Sequence, residues 1–122
     1  PMLDAQLNNE LITKDLIEKD LILNTDGLQK IMKVWSGDLP LNDSRISPIY
    51  GKLFGLPPIY IFGGGREIYL PDMKKLAYIL EGMRQPVQLF TFKRMVNAFA
   101  LLPIRESHKV VKEVVNTLHD KR

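Results

Sequence analysis

Apolar positions first fall into step at Leu28, Ile31, Met32 and Trp35, spaced i, i+3, i+4 and i+7. That spacing predicts an amphipathic helix over 25–36, with Thr25 able to cap its start and Gly37 to stop it. Trp35, on the apolar stripe, is expected to anchor the core. Upstream, "KDLIEKDLIL" repeats Lys-Asp-Leu-Ile at a five-residue step, which suits neither the helical nor the strand period. Residues 1–24 are therefore expected to be a cover segment, a short helix or irregular, with apolar teeth at Leu16, Ile17, Leu21 and Ile22. Nothing else repeats, which argues against a solenoid. Residues 37–57, rich in Gly, Pro, Asn, Asp and Ser, read as a long loop with one helical turn, of the kind that is functional or covers a cleft.

The period then changes. Ile59 to Phe62 is a continuous apolar run, predicting a strand at about 58–62 buried on both faces. Pro71 suits a first helical position and Asp72 a first turn, and Met73, Leu76, Ala77 and Leu80 line one face until Gly82. Pro86 precedes "VQLFTF", a second strand at 87–92. Pro103 opens a C-terminal helix striped by Val110, Val111, Val114, Val115 and Leu118. Strand, helix, strand at this spacing is a parallel crossover, so the fold class is α/β. Two parallel strands are too few for a sheet that must be covered on both faces. Either residues 1–24 hide a further strand or another chain completes the sheet, and the second is favoured.

Composition narrows the chemistry. A chain of 122 residues is one domain's worth, 45% hydrophobic and 25% charged. Its net charge of +3 is spread among interleaved acids and bases, with no basic run longer than a pair such as Lys121-Arg122, so a nucleic-acid partner is not expected. Zero cysteines exclude disulfides, thiolate catalysis and cysteine-based zinc sites, and fit a cytoplasmic protein. No apolar run is long enough to span a bilayer, and "PMLDAQLNNE" shows no signal-peptide pattern. The start at Pro1 suggests processing or a segment of something longer. His108 and His119 stand eleven apart on the last helix, too far to share one metal ion, and are expected on the surface. No metal or cofactor is implied.

The stretch "IYIFGGGREIYLPD" carries the candidate chemistry. A phosphate cradle would need Gly-x-Gly-x-x-Gly or a glycine loop ending in Gly-Lys-Ser/Thr, and here Glu67 stands where an anion would approach. The residues alone leave two readings: a flexible turn with solvated Arg66 and Glu67, or a platform for one functional carboxylate.

The run "SPIYGKLFGLPPIYIFGGGREIYLPDMKKLAYILEGMRQPVQLFTFKRMVNAFALLPI" resembles the C-terminal part of an α/β-hydrolase of the hormone-sensitive-lipase-like esterase and lipase group. It matches the family's Ser-Pro, its Leu-Pro-Pro before a strand and its glycine turn with the triad's acid, and "RMVNAF" stands where the family has the Gly-Met-x-His-x-Phe that carries the triad's histidine after the last strand. "PMLDAQLNN" and "GLQKIMKVWSGD" resemble the family's preceding segments, so the likeness runs from Pro1 to about Val115. It implies a partial α/β-hydrolase fold over 1–122, a small carboxylic ester as family substrate, Glu67 at the acid position and Asn97 at the histidine position. Asp72 matches the acid opening the next helix and is read as structural.

The pattern then departs from the family. Arg94 replaces the glycine and Asn97 the histidine, while Met95 and Phe99 persist. An amide cannot take a proton from a serine as imidazole does. Ser36, Ser44, Ser47 and Ser107 all lie outside Gly-x-Ser-x-Gly, and the His-Gly-Gly-Gly oxyanion loop is absent from the sequence. In well-dissected serine hydrolases, loss of serine or histidine alone costs about 10⁶ in kcat. The chain is therefore expected to be inactive alone. It is expected to associate with a second copy or with a nucleophile-bearing N-terminal half, alternatively as a split-esterase half or a plain interaction module.

Overall fold

The computed structural model describes residues 2–119; Pro1 and residues 120–122, the Lys121-Arg122 end among them, lie outside the described residues. Helix α1 spans Lys14–Lys19 and α2 Thr25–Ser36, followed by a 3-10 turn at Pro48–Tyr50 inside the long loop. Strand β1 spans Ile59–Gly64, α3 Leu70–Gly82 and β2 Val87–Phe92. A second 3-10 turn at Phe99–Leu101 leads into α4, Arg105–His119. The two strands pair in parallel, from Ile59 against Val87 to Gly64 against Phe92, with α3 as the crossover. The fold is α/β, and among the described residues the N-terminal segment adds no strand.

Boundaries moved for local reasons. Asn24, not Thr25, caps α2: its backbone is extended (φ −133°) and its Oδ1 accepts the Gly27 N–H at 2.7 Å. Gly37 ends that helix at φ 57°, where a side chain would be strained. β1 runs two residues past the expected Phe62, because Gly63 and Gly64 still pair with Thr91 and Phe92.

Strand alternation sorts the sheet into two unlike faces. Ile59, Ile61, Val87 and Leu89 point to α3 and join a core of Leu70, Met73, Leu76, Ala77 and Leu80, closed by Leu7, Ile49 and Ile68. On the opposite face Phe62 stacks on Phe90 with centroids 5.0 Å apart, and Phe92 meets Phe99 at 4.8 Å. These rings are half-buried, apart from Phe99, which is fully buried. Buried polar ties hold the cover segment. Ser47 Oγ accepts the Ala5 N–H at 2.7 Å and donates to the Leu41 carbonyl at 2.5 Å, and the Ile49 N–H donates to the Leu3 carbonyl.

The expected burial of the helix stripes is overturned. Trp35 is 74% exposed and Val34 84%, because of the α2 stripe Leu28 packs against the core while Ile31 and Trp35 are rotated off that contact. Leu21 and Ile22 are likewise exposed, whereas Leu16 and Ile17 are half-buried. In α4, Val110 is buried but Val111, Val114, Val115 and Leu118 are not. Helical period fixes which side chains share a face; a cover for that face is a separate matter.

The β1 edge away from β2 is also defined by hydrogen bonding. The N–H of Ile59 donates to the Pro86 carbonyl and that of Gly65 to the Phe92 carbonyl, both at 2.9 Å. Alternation therefore aims the N–H groups of Tyr60, Phe62 and Gly64 away from β2.

Candidate functional site at the strand tips

The loops leaving the two strands are stitched together. The Gly65 N–H reaches the Phe92 carbonyl, the Arg66 N–H donates to the Met95 carbonyl at 3.0 Å, and the Met95 N–H closes a turn back to Phe92. Two glycines make this approach possible. A Cβ on Gly64 would strike the Met95 carbonyl and lie 2.8 Å from the Val96 oxygen, and one on Gly65 would strike the Lys93 backbone. Neither glycine has a positive φ. Their role is close backbone contact.

Glu67 follows this junction and is 1% exposed. Its Oε1 accepts the outward-pointing Gly64 N–H at 2.5 Å, which caps that end of the β1 edge. Its Oε2 is buried without a hydrogen-bond partner among the described residues. Arg66, next to it, is exposed. The sequence left open whether this pair was solvated; Arg66 is and Glu67 is not.

Asn97 lies past the second loop, half-buried, followed by Ala98 in the left-handed region at φ 58°. That conformation costs a residue with a Cβ about 1–2 kcal/mol and sets the direction of the chain into Phe99. Glu67 and Asn97 line the same cavity, of about 620 Å³, together with Ile59–Phe62, Met73, Leu76 and Leu101. Its lining is drawn from β1, α3, residues 97–101 and Leu3 of the cover segment.

Burial is the main force on the acids here. It pushes the Glu67 carboxyl up from its ordinary 4.5, against the Gly64 N–H and reinforced by the nearby Asp20 charge. Burial also raises Asp72 from 3.8, with the Asn9 amide, 2.9 Å from Oδ1, pulling the other way. A raised folded value means that the native state holds protons that the unfolded chain has released. Each group's contribution is fully present below its unfolded value and is lost as pH rises through its folded value. Thermal unfolding midpoints should therefore fall as pH rises above the ordinary carboxylate values of 3.8 and 4.5 in low-salt buffer. The Glu67→Gln/Asp72→Asn double variant should flatten that slope; a wild-type profile rising over this range would contradict the assignment.

Several participants escaped the sequence reading. Asp20, buried, accepts the N–H groups of Ile22, Leu23 and Ile68, each at 2.9 Å, and so pins the cover segment to the residue after Glu67. Asp4 accepts the Tyr50 hydroxyl at 2.6 Å, which with desolvation holds that phenol up to about 12. Asp72 is more than a helix-start charge, since it is 1% exposed. His108 and His119 are exposed, and among the described residues no group of three ligating side chains could hold a metal. Ser36, Ser47 and Ser107 all donate to backbone carbonyls. No helix among the described residues is long and apolar enough to cross a membrane.

The strand–helix–strand unit, with an acid after its first strand, defines a class, and comparison with known proteins identifies it. A family model described as "alpha/beta hydrolase fold" matches residues 1–101, and the chain belongs to that family. Within it, the chain groups with esterase- and lipase-like members. It is 30% identical over 102 residues to an esterase of Acinetobacter venetianus, covering 83% of this chain and 33% of that protein. It is 40% identical over 55 residues to a triacylglycerol lipase of Mycobacterium tuberculosis, 45% of this chain and 12% of the lipase. A Staphylococcus aureus crystal structure assigned as an esterase superposes with a TM-score of 0.92 at 45% identity, covering 97% of this chain and 40% of that one. A hormone-sensitive lipase from a metagenome library superposes at 0.90 with 23% identity, a likeness of fold. The chain thus spans a third or less of the two relatives matched by sequence.

Proposed function

We propose that these 122 residues are the C-terminal segment of a carboxylic ester hydrolase of the esterase and lipase kind, with Glu67 at the acid position of the triad and Asn97 at the histidine position. The observation that carries the reading is that Glu67 and Asn97, from loops after neighbouring strands, line one cavity. An acid so placed can orient an imidazole and stabilise its protonated form. Asn97 offers neither a base for a serine proton nor an acid for the leaving alkoxide, so the segment by itself does not turn over esters. The substrate class is a small carboxylic ester, presented by a nucleophile and an oxyanion hole that another part of the fold supplies.

That other part is the expected occupant of the β1 edge. The N–H groups of Tyr60 and Phe62 point away from β2, and the half-buried Phe62 and Phe90 rings leave apolar surface on the sheet that it would bury. A second copy of the chain is the competing occupant.

The test is a p-nitrophenyl butyrate assay on the chain alone. No hydrolysis above the buffer rate is expected. Saturable turnover that survives repeated purification would overturn the proposal.

A further inference from the structure

Four acids are buried among the described residues, Asp4, Asp20, Glu67 and Asp72. Asp4 accepts from Gln6 and Tyr50, and Asp72 from Asn9, so both fasten the start of the cover segment. Asp20 instead reaches the turn that carries Glu67. Its Oδ2 accepts the Ile68 N–H at 2.9 Å, across 48 positions of chain. That N–H belongs to the peptide plane whose carbonyl is Glu67's own, and the carbonyl accepts the Leu70 N–H at 3.1 Å. The plane is thus held at both ends. On the other side of Glu67, its N–H donates to the Gly64 carbonyl at 3.3 Å. These ties set the direction in which the Glu67 side chain leaves the backbone, the one that brings Oε1 onto the Gly64 N–H.

Asp20 is a firm anchor for local reasons. It ends α1, its N–H donating to the Leu16 carbonyl, and its Oδ1 accepts the N–H groups of Ile22 and Leu23, each at 2.9 Å. A charged acceptor makes such bonds roughly twice as strong as a neutral one. We infer that Asp20 is a positioning residue for the acid, holding the Glu67–Ile68 peptide so that the Glu67 carboxylate keeps its place in the cavity that Asn97 also lines. The inference rests on the reading of Glu67 as the triad's acid given above. An acid orients an imidazole from one position only, and a displacement of about 1 Å can cost about 10²-fold in rate.

The experiment has two arms. In the intact, isotope-labelled chain the Gly64 amide proton reports where Glu67 Oε1 sits, because a close carboxylate shifts it downfield. Asp20→Asn should move that proton upfield: the amide oxygen stays with Ile22 and Leu23, and the amide NH2 then meets the Ile68 N–H, donor against donor. Ser47→Ala, which breaks a buried tie of the cover segment outside the 64–68 turn, should leave it in place. In a mixture of the Asn97→His chain with a nucleophile-bearing N-terminal portion of a family esterase, Asp20→Asn should lower kcat by about 10- to 100-fold, with KM within about twofold. If Asp20→Asn does not fold, Asp20→Ser takes its place, its shorter side chain capping the 21–23 turn without reaching Ile68. A Gly64 proton unmoved in the Asp20 variant, or an unchanged kcat in an active mixture, overturns the inference. An inactive mixture counts against the ester-hydrolase reading alone, and the Gly64 proton then decides by itself whether Asp20 positions Glu67.

Discussion

Combining this chain carrying Asn97→His with a nucleophile-bearing N-terminal portion from a family esterase should produce p-nitrophenyl ester hydrolysis at least ~10⁴-fold faster than the same mixture with Asn97. The size of the effect follows from what the histidine does. It takes the serine proton as the tetrahedral intermediate forms and returns it to the leaving alkoxide, and an amide does neither. Glu67 is placed to support the restored ring, being buried with one oxygen fixed by Gly64 and the other without a partner. In the restored mixture Glu67→Gln should lower kcat by about 10⁴, through the wrong tautomer, while changing KM little. The Asn97→His chain alone should stay inactive, because an imidazole without a positioned hydroxyl has nothing to activate. Equal hydrolysis by the Asn97 and Asn97→His mixtures would remove residue 97 from the proposed chemistry.

Sequence made the central unit readable because its signals are local. Ile59–Phe62 and "VQLFTF" are short apolar runs, α3 has a clean helical period, and the connection between them is too long for a hairpin. What stayed hidden depends on contacts between distant segments. Asp20 looks like one more charge in "KDLIEKD", yet it accepts an N–H from a residue 48 positions away. The apolar stripe of α2 pointed to a core position for Trp35, but of that stripe it is Leu28 that packs against the core. Family resemblance assigned Asn97 and Glu67 to one site, whereas spacing alone says nothing of two loops meeting. The unpartnered Glu67 oxygen had no sequence signal either, since a carboxylate in a glycine-rich turn is ordinarily solvated.

The three successive glycines show most plainly how a local reading can be right about location and incomplete about cause. Gly64→Ala should destabilise the chain by about 3 kcal/mol or more, at or beyond the top of the usual range for overpacking. The added methyl would meet the carbonyl groups of Met95 and Val96, which are backbone and cannot rotate away as a side chain would. Relief would require the 93–96 loop to move off the strand tip, breaking the Arg66 to Met95 and Gly65 to Phe92 hydrogen bonds. Gly82→Ala is the matched control: it lies at the end of α3 with nothing within 4 Å of its added Cβ, so the same change there should be neutral or stabilising by up to about 1 kcal/mol. Urea unfolding of the two variants under identical conditions separates close contact from chain flexibility, because loss of glycine flexibility alone would favour the folded state at both positions. Gly64→Ala unfolding at the wild-type midpoint would mean that the two loops are not in contact, and the cavity shared by Glu67 and Asn97 would go with them.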